Sequence, residues 1–146
     1  MMRQLRIATT AFSAFLVFQT CPIASASSKD KSNKSEHKNE LAPEISLDEL
    51  KNLINSKTAT IIDANAESTF DKGRIPTSVS YIKNKTNFAA ILPADKNALL
   101  VAYCGGPMCK AWEEPAKFAK SMGYTNIKHF KGGLKVWKDS GNELAK

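Results

Sequence analysis

Cysteine is scarce in this chain, with three among 146 residues, too few for a disulfide scaffold. No apolar run reaches about 18 residues, which excludes a multi-pass membrane protein. No segment repeats at a solenoid period. No G-K-[ST] loop is present to hold nucleotide phosphates, and no Ser/His/Asp set suggests itself. Zinc is not expected, because neither histidine lies near the two later cysteines to complete a four-ligand set. Acids are the minority charge, 14 against 21 basic residues for a formal +7. That excess is spread along the chain, so it argues only weakly for an anionic ligand or surface. The lysines of the later helices read as a solvated face, so no nucleic-acid partner is expected. What remains is an ordinary globular composition, 42% hydrophobic and 24% charged, enough for one core.

The N-terminus has its own character. Met1 to Arg6 carries two arginines and no acid, Ile7 to Phe18 is largely apolar, and Ala24-Ser25-Ala26 follows. A basic stretch, a short apolar stretch and an A-x-A tripeptide are the order of a secretory signal peptide over 1–26. The alternatives are an uncleaved anchor, short for a bilayer, and lipid attachment at Cys21, which lacks the small preceding residue such processing favours. Export to a periplasmic or extracellular space is therefore the expectation, with no stable membrane span after cleavage. Residues 27–42 read as a disordered polar linker, because S-S-K-D-K-S-N-K-S-E-H-K-N-E offers too little apolar surface to offset its ordering. His37 lies within it and reads as a solvated bystander. The folded domain is expected over 43–146.

Within that domain, strands and helices alternate. Ser46 with Glu49 three residues later is the signature of a capping box, and Leu47, Leu50, Leu53 and Ile54 share one helical face. Strands are expected over 58–63, 79–82, 98–103 and 127–130. Helices are expected over 66–72, around 88–92, over 112–122 and over 134–140. Gly73, Gly123 and Gly141 are the expected stops. This alternation implies an α/β fold with a largely parallel sheet covered on both faces. Phe70, Tyr81, Trp112 and Trp137 are expected in the core, with Tyr103 and His129 in packing roles.

The chemistry concentrates in Cys104-Gly105-Gly106-Pro107-Met108-Cys109-Lys110. Cys104 follows the most apolar strand, and ligands of such sheets sit at the carboxyl ends of strands. Gly105 and Gly106 permit backbone angles at which successive N–H groups converge on an anion. A following helix dipole, with Lys110 at its start, would also favour a thiolate at Cys104. Cys109 is either a small filler or a resolving thiol, which could close a disulfide if the loop brings the two Cα atoms within about 7 Å. Asp63 is expected to tie down neighbouring loop amides, and Arg74 to line the pocket or stand exposed.

Several segments in order resemble the single-domain rhodanese, or sulfurtransferase-like, family. Ile61-Ile62-Asp63-Ala64-Asn65 with Glu67 and Phe70 resembles its "L-I-D-V-R … E-F", and Gly73-Arg74-Ile75-Pro76-Thr77-Ser78 resembles "G-H-I-P-G-A". Val101 to Cys104 is similar to the strand leading to its active cysteine. Met122 to Ile127 resembles "L-G-Y-x-N-V", and Gly132-Gly133-Leu134-Lys135-Val136-Trp137 resembles "G-G-x-x-x-W". The resemblance implies a five-stranded, mainly parallel sheet flanked by helices on both faces. It also implies persulfide chemistry without a cofactor. Cys104 would take sulfane sulfur from a small donor and pass it to a thiol or cyanide, with loop N–H groups stabilising the charge.

The departures qualify the substrate. Asn65 replaces the arginine of the first motif, Arg74 the histidine of the second, and Thr77 its glycine. Gly105 and Gly106 stand where thiosulfate-using members often carry basic residues, which weakens thiosulfate as donor. Lys110 echoes the C-x5-R loop of related phosphatases and arsenate reductases, yet lysine cannot grip a phosphoryl group bidentately. The readings left open are a sulfur carrier acting through Cys104, a thiol–disulfide module using Cys104 and Cys109, and a non-catalytic domain that binds a partner protein.

Overall fold

The computed structural model describes residues 41–146. The expected signal peptide and almost all of the expected linker lie outside them. Four parallel strands form one sheet: β1 (Ala59–Asp63), β2 (Val79–Ser80), β3 (Leu99–Tyr103) and β4 (Ile127–His129), in the spatial order β2-β1-β3-β4. The helices are α1 (Leu47–Ser56), α2 (Glu67–Lys72), α3 (Phe88–Ile91), α4 (Glu113–Ser121) and α5 (Gly133–Asp139). Among the described residues no helix is long and apolar enough to cross a membrane.

The expected five strands are four, and the edge of β4 shows why. Residues 43–45 run beside it, with the Ile45 N–H donating to the His129 carbonyl and the His129 N–H to the Pro43 carbonyl, both at 2.9 Å. Pro43 has no N–H to extend a ladder, so the pairing stops at a single parallel bridge between Glu44 and His129. Strand β2 is also shorter than expected. After Tyr81 donates its N–H to the Asp63 carbonyl, Ser80 Oγ accepts from the Lys83 N–H at 3.2 Å and Asn84 Nδ2 donates to the Ser80 carbonyl at 2.8 Å. Those bonds curl the chain into a turn where a strand would have continued.

Alternation along β3 divides the core in two. Leu100, Ala102 and Cys104 belong to a cluster with Phe88, Trp112, Ala116 and Ala119. Val101 and Tyr103 belong to a cluster with Leu50, Leu134 and Trp137. Helices α3 and α4 thus cover one face and α1 and α5 the other, as expected for a parallel sheet buried on both sides. Phe70, Tyr81, Trp112, Trp137, Tyr103 and His129 are all buried. Ser46 caps α1 by accepting the Glu49 N–H at 3.1 Å. The Glu49 carboxylate does not return to the cap; it binds Lys128 Nζ at 2.7 Å and ties α1 to β4.

Candidate functional site

The strand order places a topological switch between β1 and β3, because the chain leaves β1 towards β2 and leaves β3 towards β4. The crevice outside the carboxyl ends of those two strands is where open α/β sheets hold ligands. Asp63 ends β1 and Cys104 follows β3, so the fold brings both to the crevice. A Cβ on Gly105 would lie 3.5 Å from Asn65 Oδ1, which shows how closely the two loops approach.

Cys104 is 1% exposed and belongs to the apolar cluster beneath α4. It is disulfide-bonded to Cys109, with a Cα–Cα distance of 6.2 Å. The loop reaches that geometry through a turn at Gly106, whose carbonyl accepts the Cys109 N–H at 3.0 Å. The N–H groups of Gly105, Gly106, Met108 and Lys110 find no acceptor among the described residues. Met108 and Lys110 are exposed, Met108 to 93%.

The helix after the loop starts later than its expected contribution to the site requires. Helix α4 begins at Glu113, and Lys110 lies in the turn before it, accepting the Glu113 N–H at its carbonyl. Pro115 is the reason: it lacks the N–H that would bond the residue 111 carbonyl and is tolerated only in a first turn. Glu113 and Glu114 occupy that first turn. Lys110 thus stands in the turn leading into α4 rather than in the helix itself.

The loop rests on backbone from the start of α5. Leu134 donates its N–H to the Cys104 carbonyl at 2.9 Å and Lys135 to the Gly105 carbonyl at 3.0 Å. Gly133 makes the approach feasible. Its φ is +58°, and a Cβ there would sit 2.3 Å from the Cys104 carbonyl oxygen and 2.7 Å from the Gly106 nitrogen. No side chain fits at that spacing. The G-G-x-x-x-W segment marks this position in the sequence, but its pairing with the cysteine loop joins residues about thirty apart and has no local signature.

Asp63 does tie down the neighbouring loop. Its Oδ1 accepts the Asn65 N–H at 2.7 Å and Asn65 Nδ2 at 2.8 Å. Its Oδ2 accepts the Tyr103 hydroxyl at 2.5 Å. Tyr103 Oη in turn accepts the Ile75 N–H at 3.1 Å and lies 3.1 Å from Ser78 Oγ. Burial raises the Asp63 carboxyl above its ordinary range, opposed by its hydrogen bonds with Tyr103 and Asn65. Burial also pushes the Tyr103 phenol up, with the Asp63 charge adding to the shift. Arg74 takes a different role from pocket lining. Its backbone pairs with Ala145, its guanidinium donates to the Lys146 carbonyl at 2.9 Å, and its Cζ lies 4.5 Å from the Phe70 ring centroid.

The sequence also concealed an aromatic wall beside the loop. The Trp112 and His129 rings stack at 3.7 Å and 13°, and desolvation lowers the His129 pKa to about 4. With Pro107, Met108, Cys109 and Lys110 they line a cleft of about 200 Å³. Among the described residues no three His, Cys, Asp or Glu side chains gather as a metal site.

Solved structures share this fold. The human single-domain sulfurtransferase TSTD1 is 23% identical, with a TM-score of 0.56 over 67% of this chain and 96% of that one. The BH2092 protein of Bacillus halodurans is 23% identical, with a TM-score of 0.62 over 72% and 77%. An uncharacterized protein of Saccharomyces cerevisiae is likewise 23% identical, with a TM-score of 0.56 over 68% and 93%. No curated protein sequence matches the chain. The family model for the rhodanese-like domain matches residues 46–140, most of the described chain including both motifs that build the cysteine loop's surroundings, and the protein therefore belongs to the rhodanese-like domain family.

Proposed function

We propose that the protein is a sulfurtransferase or sulfur carrier whose working group is the reduced Cys104 thiolate. The observation that carries this reading is the position of Cys104. It stands at the carboxyl end of β3, beside the switch point, under a loop whose N–H groups at Gly105, Gly106, Met108 and Lys110 find no acceptor among the described residues. The thiolate attacks the outer sulfur of a persulfide donor, forming Cys104–S–SH and releasing the donor as a thiolate. An acceptor thiolate then attacks that outer sulfur, and Cys104 is regenerated. Both steps move the same sulfur atom and need no cofactor, only stabilisation of the sulfur anion by loop N–H groups. The human neighbour's description as a sulfurtransferase agrees with this reading.

The test is single-turnover transfer from an organic persulfide to a thiol by the reduced protein. Cys104→Ser is expected to abolish it and Cys109→Ser to retain it. Transfer that survives Cys104→Ser overturns the reading.

One observation favours a second chemistry at the same place. Cys109 closes a disulfide with Cys104, so the pair can carry two electrons as well as one sulfur. An exported protein, as the N-terminal segment suggests, would meet oxidants that close this bond. If thiol–disulfide exchange is the main activity, Cys109→Ser abolishes it while leaving persulfide formation intact.

A further inference from the structure

The two sulfurs of the disulfide are not equally open to attack. Cys104 is 1% exposed among the apolar residues beneath α4. Cys109 is half-buried and lines the 200 Å³ cleft, whereas Cys104 does not. Thiol–disulfide exchange needs the attacking thiolate to reach one sulfur while the other departs, and access decides which sulfur is taken. A thiolate in the cleft meets Cys109. Cys104 offers almost no surface to an incoming thiolate while the disulfide is closed.

Charge in the cleft points the same way. The Glu44 carboxylate is paired with Lys131 at 3.0 Å, and Glu113 with Lys117 at 2.7 Å, so the acids lining the cleft are matched. Lys110, next to Cys109, also interacts with Glu113, and with that acid shared with Lys117 it leaves positive charge beside Cys109 that favours an incoming anion. The cleft lies below the roughly 300 Å³ at which drug-sized pockets begin. That size suits a low-molecular-weight thiol whose remaining groups project into solvent.

We propose that this cleft binds a small thiol reductant and that Cys109 is the sulfur it attacks, so that reduction releases Cys104 as the leaving thiolate. The thiolate RS⁻ forms a bond to Cys109 Sγ as the Cys104–Cys109 bond breaks, and the electron pair departs on Cys104 Sγ. A second RS⁻ attacks the reductant's sulfur in the mixed disulfide, giving RSSR and a Cys109 thiolate that takes up a proton. Two thiols are oxidised and one disulfide is reduced. The mixed disulfide sits on Cys109, outside the core, while Cys104 is already free under its loop. The direction of opening rests on the disulfide and the cleft. It deepens the proposed function only in making the first sulfur released the one proposed to carry sulfane sulfur.

The experiment uses the oxidised full chain with limiting glutathione, acid quenching, alkylation and peptide mass mapping. Glutathione is expected on Cys109 and the alkyl label on Cys104, in at least about tenfold excess over the reverse pattern, as unequal access to the two sulfurs predicts. Glutathione on Cys104, or an even split, overturns the proposal. The reduction rate gives an independent check with Lys110→Gln, an exposed position. Reduction by mercaptoethanesulfonate, a dianion once its thiol ionises, is expected to slow about three- to fivefold, and reduction by the singly charged thiolate of 2-mercaptoethanol clearly less. Equal rates for variant and wild type with both thiols, or equal slowing with both, contradict the role of the cleft. A thioredoxin-type protein reducing the wild type much faster than glutathione, and insensitive to Lys110→Gln, would make the occupant a protein and overturn the small-thiol assignment. No sulfane sulfur is present in these assays, so their failure is distinguishable from failure of the sulfurtransferase reading.

Discussion

The carboxyl ends of β1 and β3 are neighbours in the sheet and face the same crevice, yet they are built to opposite specifications. At the end of β1 the polar groups are committed: Asp63 accepts from Asn65 and Tyr103, and Tyr103 is engaged by Ile75 and Ser78. At the end of β3 the loop is held from behind by Gly133, Leu134 and Lys135, while several of its own N–H groups find no acceptor among the described residues. A satisfied buried network makes a rigid, specific structure. Unspent donors on a rigidly backed loop make a place where an anion can be stabilised. The comparison separates the group that ties down its surroundings, Asp63, from the group proposed to react beside it, Cys104.

The largest expected effect breaks the backing of the β3 end. Gly133→Val puts a side chain where a Cβ already lies 2.3 Å from the Cys104 carbonyl oxygen, at a φ that β-branched residues resist. A loss of about 3–5 kcal/mol is expected in urea unfolding. Any correctly folded fraction should show altered disulfide closure.

Acid titration tests the aromatic wall next. His129 protonates near 6.5 when unfolded but is held to about 4 in the fold by desolvation. Between those values the unfolded chain binds the extra proton, so stability falls as pH drops through that window, by about 3 kcal/mol in full. Above pH 6.5 the histidine makes no such demand. Denaturant midpoints measured across this range should lose that slope in His129→Phe, which keeps a ring against Trp112.

Tyr103→Phe then probes the β1 end. It removes the hydroxyl between Asp63, Ile75 and Ser78, at an expected cost of about 1–3 kcal/mol. The rate of disulfide reduction should not change, because that network does not hold the cysteine loop. A marked change in that rate would erase the distinction between the two ends. Arg74→Gln is the mildest. It loses the contact over Phe70 and the bond to the Lys146 carbonyl, costing about 0.5–1 kcal/mol. Faster hydrogen exchange near Ala145 should accompany it, with sulfur transfer unchanged.

How much of this could be read beforehand follows from how far apart the interacting residues stand. The strand before Cys104, the cap at Ser46 and the helix face of Leu47, Leu50 and Leu53 are local patterns, and each was plain. The approach of Cys104 to Cys109 was a spacing with two outcomes, which loop geometry resolved. Gly133 under the Cys104 carbonyl, Tyr103 on Asp63 and His129 on Trp112 pair residues from separate elements, and no periodicity announces them. The late start of α4 is readable in principle, since Pro115 forbids an earlier one, but the apolar spacing of Trp112, Ala116 and Ala119 runs across it. Residues 43–45 failed to make a full fifth strand for a similarly small reason, the missing N–H of Pro43.

The most direct test of the account is the intact mass of the reduced protein before and after an organic persulfide, in wild type, Cys104→Ser and Cys109→Ser. A gain of about 32 Da, one sulfur atom, is predicted in wild type and Cys109→Ser and not in Cys104→Ser. A gain that persists in Cys104→Ser, or no gain in Cys109→Ser, would contradict Cys104 as the sulfur-carrying residue.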